Sequence, residues 1–198
     1  MAEISPRKEP VQARARASCA AIKEAAARIL KEGSALNTNA IAERAGVSVG
    51  TLYQYFPSKE AILAEMVRDL RAAMLADLER AAEAVRGRRL RECVRAMIVA
   101  SLEHHRRDAA LADALERAEA GLPLDAETAR LKAGIGALVT GVLERFDLPE
   151  RERAARDLAA ITRGMAEAAA RAGERDFGSV ATRIEHAAMG YLNALRKG

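Results

Sequence analysis

The chain has 198 residues, 50% apolar, 30% charged and only 3% aromatic, with a net charge of +4. That apolar share excludes a disordered chain, and no apolar run approaches the ~20 residues that span a bilayer. The N-terminus carries no apolar leader, so the expected compartment is the cytoplasm. Ala, Arg, Leu and Glu dominate, and all favour helices. With no alternating strand pattern, the expected fold class is all-α.

Residues 1–11 read as a flexible basic tail. Arg7, Lys8, Arg14 and Arg16 precede or begin the first helix. Such an arm either enters a minor groove or stays a solvated tail, and Pro6 and Pro10 favour the tail. The first helix is predicted near 12–32, ending at Gly33 and packing through Ile22, Ala26, Ile29 and Leu30.

The stretch from Thr38 to Leu63, TNAIAERAGVSVGTLYQYFPSKEAIL, carries the most information. Thr38 is a candidate N-cap. Ile41, Ala42 and Ala45 give a short apolar face, and Gly46 suits a left-handed helix end. Ser48 can cap a second helix whose Leu52 and Phe56 share one face. Pro57 ends it, and Ser58 starts the next. Two short helices joined by a tight glycine turn describe a helix-turn-helix, whose second helix enters the major groove of DNA. A plain core hairpin is the alternative, but it would not need two tyrosines, a glutamine and a threonine on its outer faces.

The segment AGVSVGTLYQYFPSKEAIL resembles the signature of the TetR family of bacterial transcriptional regulators, closely from about Ala25 to Met66. The resemblance implies a DNA-binding domain over 12–57 and a helical regulatory and dimerisation domain over 58–198, linked by the helix that starts at 58. It also implies double-stranded operator DNA as partner. Thr38, Asn39, Ser48, Val49, Gly50, Thr51, Tyr53, Gln54, Tyr55 and Lys59 would then contact DNA. Thr38 and Asn39 would meet phosphate or a groove edge. Ser48 to Thr51 would form the tip of the recognition helix, with Val49 and the Thr51 methyl meeting thymine methyls. Tyr53, Tyr55 and Lys59 would hold the backbone, and Gln54 would read adenine or hold a phosphate.

Beyond residue 70 the pattern predicts helices near 58–85, 90–105, 109–118, 125–146, 150–173 and 177–195. The last two resemble the family's dimer helices. Leu158, Ile161, Thr162, Met165, Ala169, Ile184, Ala188, Tyr191 and Leu195 are the expected homodimer interface. A small-molecule effector is expected among Met66, Leu70, Met97, Leu102, His105, Leu115, Leu138 and Val142. Tyr53, Tyr55 and Phe56 use up three of the six aromatics, leaving Phe146, Phe177 and Tyr191. The effector should therefore be aliphatic or compact rather than flat. His105 shares the apolar face of Met97, Ile98 and Leu102 and reads as a ligand contact or a core histidine.

The expected function is thus a repressor released from a palindromic operator by a small apolar effector. A ligand-independent or protein-controlled DNA binder is the alternative, and a helical enzyme a remote one. No HExxH, glycine-rich phosphate loop or nucleophile elbow is present. His104 and His105, adjacent on a helix, point about 100° apart and do not readily share an ion. Cys19 and Cys93 have neither paired nor metal-ligand spacing. No cofactor and no metal are expected.

Overall fold

The computed structural model describes residues 4–6 and 13–197. Among them are nine α-helices and no strand: α1 (Ala13–Lys31), α2 (Thr38–Ala45), α3 (Val49–Tyr55), α4 (Lys59–Ala84), α5 (Leu90–Ser101), α6 (Glu103–Glu119), α7 (Asp125–Leu143), α8 (Arg151–Arg171) and α9 (Phe177–Leu195). The predicted helix over 90–105 is in fact α5 followed by a turn at Leu102, so His105 lies on α6. Residue Asp108 breaks α6 with φ −156° and ψ 84°. That break accounts for the separate short helix expected from 109.

Two compact units emerge. One holds residues 1–70 and 110–124, the other 71–109 and 125–198. This division assigns the first turns of α4 and the second half of α6 to the first unit, whereas the sequence suggests a boundary at 57/58.

The first unit has one core. Ile22, Ala26 and Ile29 of α1 meet Ile41 of α2, Leu52 and Phe56 at α3, Ile62 and Val67 of α4, and Leu115 and Leu124. Ile22, Ile41, Leu52 and Ile62 are completely buried. Burying each such side chain contributes about 1.5–3 kcal/mol, so three short helices that would not survive alone are held together. Ile4 packs on the same core, and its carbonyl accepts a bond from Arg68 Nη1 at 3.1 Å. The predicted tail therefore touches the core at its start, while Arg7 and Lys8 lie outside the described residues.

The second unit has two clusters. Leu90, Val94, Ile98 and Leu102 pack against α9 and share with α8 one cluster that also holds Leu158, Ala169, Val180, Ile184 and Leu192. Leu78, Ala82 and Val85 of α4 meet Cys93 and Met97 of α5 and Val142 of α7. A polar clamp ties α5 to α9: buried Glu185 accepts from Arg91 Nε at 2.5 Å and Arg95 Nη1 at 2.7 Å. Burial pushes the Glu185 carboxyl up, but the hydrogen bonds and charges of Arg95 and Arg91 outweigh it and hold it below the usual carboxylate range.

Candidate nucleic-acid interface

The helix-turn-helix is set by its caps. Asn37, not Thr38, caps α2: its Oδ1 accepts from the Ala40 amide at 2.8 Å. Thr38 is the first helical residue, and its hydroxyl lies 3.1 Å from the Tyr53 hydroxyl of α3. Both residue types cap well, and the one standing outside the helix takes the role. Gly46 ends α2 at φ 66°, a left-handed conformation open to glycine at little cost. The Val47 amide then bonds the Ala42 carbonyl at 3.0 Å and turns the chain.

Ser48 caps α3, accepting from the Thr51 amide at 3.0 Å, and its hydroxyl also pairs with that of Thr51 at 2.8 Å. Leu52 and Phe56 point into the core. Phe56, before Pro57, is extended at φ −124° and ψ 121°, so the helix stops there. Ser58 caps α4 through the Ala61 amide at 3.2 Å.

These constraints leave one face outside. Val49 is 37% exposed and Tyr53 39%, the two exposed large apolar side chains among the described residues. Ser48, Gly50, Gln54, Asn39 and Lys59 are exposed, while Thr38 and Thr51 are half-buried. Tyr55 is also half-buried, and its ring packs on the core. The predicted contact residues therefore share one short motif, with Tyr55 divided between core and surface. The signal missed in the sequence is Asn37, whose side chain caps α2.

The chain's similarities agree with this geometry. Residues 22–66 match the model for bacterial regulatory proteins of the tetR family. Residues 90–192, more than half of the chain, match the tetracyclin repressor-like C-terminal domain. The chain belongs to the TetR family of transcriptional regulators. Members of this family regulate transcription and are not enzymes. Its structure resembles a transcriptional regulator from a Rhodococcus species, at 27% identity and a TM-score of 0.66, covering 92% of this chain and 96% of that one. The TetR-family regulator PfmR of Thermus thermophilus shares 22% identity and a TM-score of 0.63, over 89% and 97% of the two chains. LfrR of Mycobacterium smegmatis, solved in complex with proflavine, shares 23% identity and a TM-score of 0.60, over 89% and 95%. No curated protein matches the chain significantly in sequence.

The regulator's remaining candidate residues fall differently from expectation. Leu158, Ala169, Ile184 and Ala188 are buried within one chain, so they build the protomer and offer no surface to a partner. Ile161, Thr162, Met165, Tyr191 and Leu195 stay half-buried. The Tyr191 hydroxyl donates to Asp157 Oδ2 on α8, and that bond raises its pKa. The eight effector residues are divided between the two units and, His105 aside, among three clusters. Met66, Leu70 and Leu115 belong to the core of the first unit. Leu102 lies in the α5–α8–α9 cluster, and Met97, Leu138 and Val142 in the α4–α5–α7 cluster. His105 is buried and stacks on Phe177, with ring centroids 5.0 Å apart and planes 13° apart. It serves as a core histidine.

Both cysteines are buried, and burial pushes both thiols up. High thiol pKa opposes reactivity, which argues against redox sensing. No described helix is long and apolar enough to cross a membrane.

Proposed function

We propose that this regulator is a repressor acting in the cytoplasm, binding a palindromic operator as a homodimer and released by a small apolar effector. The observation that carries it is the outward tip of α3. Ser48, Val49, Gly50, Thr51, Tyr53 and Gln54 stand at or near the surface, while Leu52 and Phe56 anchor the helix from behind. Two such helices about 34–36 Å apart would meet successive major grooves. The half-buried Ile161, Thr162, Met165, Tyr191 and Leu195 support α8 and α9 as the dimer surface. A ligand would oppose DNA by the same factor that DNA opposes the ligand. The helix α4 is the natural lever, being one unbroken helix with its first turns in the first unit and the rest in the second.

Fluorescence anisotropy on the DNA upstream of the protein's own gene tests this reading. Binding should weaken steeply with salt. Lys59→Ala should weaken binding to every sequence and lower the salt slope by about 1. Salt-independent binding, or no binding at low salt, would contradict the proposal. So would a monomer at micromolar concentration in sedimentation.

A further inference from the structure

Two clefts open on the second unit, and they differ in how their charges are used. The larger, about 530 Å³, lies over α4, α5 and the start of α6, above Ala81, Ala96, Val99 and Ala100. Its arginines are committed. Arg107 holds Asp77 through two contacts, at 3.0 and 3.1 Å, and Arg95 is spent on Glu185. A ligand there would first have to break ion pairs.

The smaller, about 310 Å³, lies between α4 and α7. Its apolar lining is Ala82, Ala137, Leu138, Gly141 and Val142, of which Ala82 and Val142 are buried. That volume is at the small end of ligand sites, roughly 300–1,000 Å³. Arg145 stands at its rim and has no carboxylate partner among the described residues. Arg86, on the same rim, pairs among the described residues only with Glu83, at 2.6 Å, and both are more than 60% exposed. Such an exposed pair is worth at most about 1 kcal/mol, so Arg86 can turn to a ligand at little cost. The two arginines share one end. Cys93 has Arg145 as its electrostatic neighbour and donates its thiol to the Val85 carbonyl beside Arg86. Glu79, on α4 and seven residues before Arg86, lines the cleft too.

Gly141 opens onto the same cleft. A Cβ built on Gly141 would meet no atom within 4 Å. Glycine inside a helix is destabilising, and among the described residues no packing requires it there, as at Gly134, Gly136, Gly164 and Gly190. Gly141 lines the same groove as Ala137, Leu138 and Arg145.

We infer that the α4–α7 cleft binds an aliphatic monocarboxylate of medium chain length. Its carboxylate is held by Arg145 and Arg86, and its chain lies over Gly141, Leu138 and Val142. Bidentate guanidinium–carboxylate pairing fixes the head group, and Glu79 at the far end rejects a second negative charge. The inference rests on the reading of the chain as a ligand-released regulator and supplies the chemistry of that ligand.

Calorimetric titration of the full chain with octanoate, octylammonium, 1-octanol and octanedioate tests it. Octanoate should bind at least tenfold more tightly than the other three. Arg145→Gln should weaken octanoate at least tenfold and leave octanol unchanged. Gly141→Leu should fill the groove and abolish octanoate binding while the melting temperature stays the same or rises, which separates a blocked site from a misfolded one. Equal affinity for octanol and octanoate, an unaffected Gly141→Leu, or no octanoate binding at all would overturn the inference. DNA affinity is measured on the same samples. Retained DNA binding with no octanoate binding removes this inference and leaves the regulator. Octanoate binding that obeys the variants but leaves DNA affinity unchanged keeps the site and removes octanoate-type ligands as the releasing effector.

Discussion

The two units are built from the same residue types and yet specify themselves in opposite ways. In the first, three helices of 19, 8 and 7 residues are each cut to length by a cap, a left-handed glycine or a proline, and their large side chains meet in one core. In the second, long alanine-rich helices share two clusters, and α7 keeps Leu131, Ile135 and Leu138 only half-buried. Short helices with strong punctuation leave each side chain little choice. Long helices with small side chains leave faces that a ligand or a second chain can still cover.

Substitutions can break this comparison, taken from the largest effect downward. Phe56→Ala removes a side chain only 2% exposed from the single core and should cost about 3–5 kcal/mol in urea unfolding, with DNA binding lost. Ile161→Ala, on the half-buried face of α8, should cost far less in the protomer. Equal losses would mean that the second unit is as tightly determined as the first.

Glu185→Gln comes next. It should lower stability at neutral pH by about 1–2 kcal/mol, since water screens Arg91 and Arg95, which are 64% and 46% exposed. Because the Glu185 carboxyl is held below its ordinary value, its contribution is complete above about pH 4.3. It fades as pH falls from there through the folded value. Parallel unfolding curves should therefore converge as the pH falls below about 4.3. A gap independent of pH would show that Glu185 acts only by packing.

Smaller effects sharpen the first unit. Asn37→Ala should cost about 1 kcal/mol as a lost cap, whereas Thr38→Ala should cost less, since only its bond to Tyr53 is removed. The reverse order would restore Thr38 as the cap. Smallest of all, Gly134→Ala on α7 should raise stability by about 0.5–1 kcal/mol, because no atom lies within 4 Å of the new Cβ. A loss there would reveal a tighter α7 than the half-buried side chains suggest.

The same contrast explains what the sequence disclosed. The motif from Thr38 to Leu63 was legible because capping and turn residues act locally. Its one slip, Thr38 for Asn37, came from adjacent residues with nearly equal capping ability. Helical periodicity correctly marked Ile184, Ala188 and Leu158 as apolar positions, but periodicity does not say what an apolar face meets. A partner chain and the chain's own helices leave the same pattern, and here α5, α7, α8 and α9 cover one another. The expected effector residues scattered for the same reason, since Met66 and Leu102 are core residues of different clusters. The cleft between α4 and α7 depends on Gly141 and Arg145, and neither a glycine nor an arginine stands out in a helix this rich in small residues and charge.

Selection of bound duplexes from a random pool, run with the wild type and with Gln54→Ala, tests most directly that α3 reads DNA. The wild type should enrich an inverted repeat, and the variant should enrich a repeat altered at the same position of both halves. No enrichment by the wild type, or an identical motif from both proteins, would contradict α3 as the reading helix.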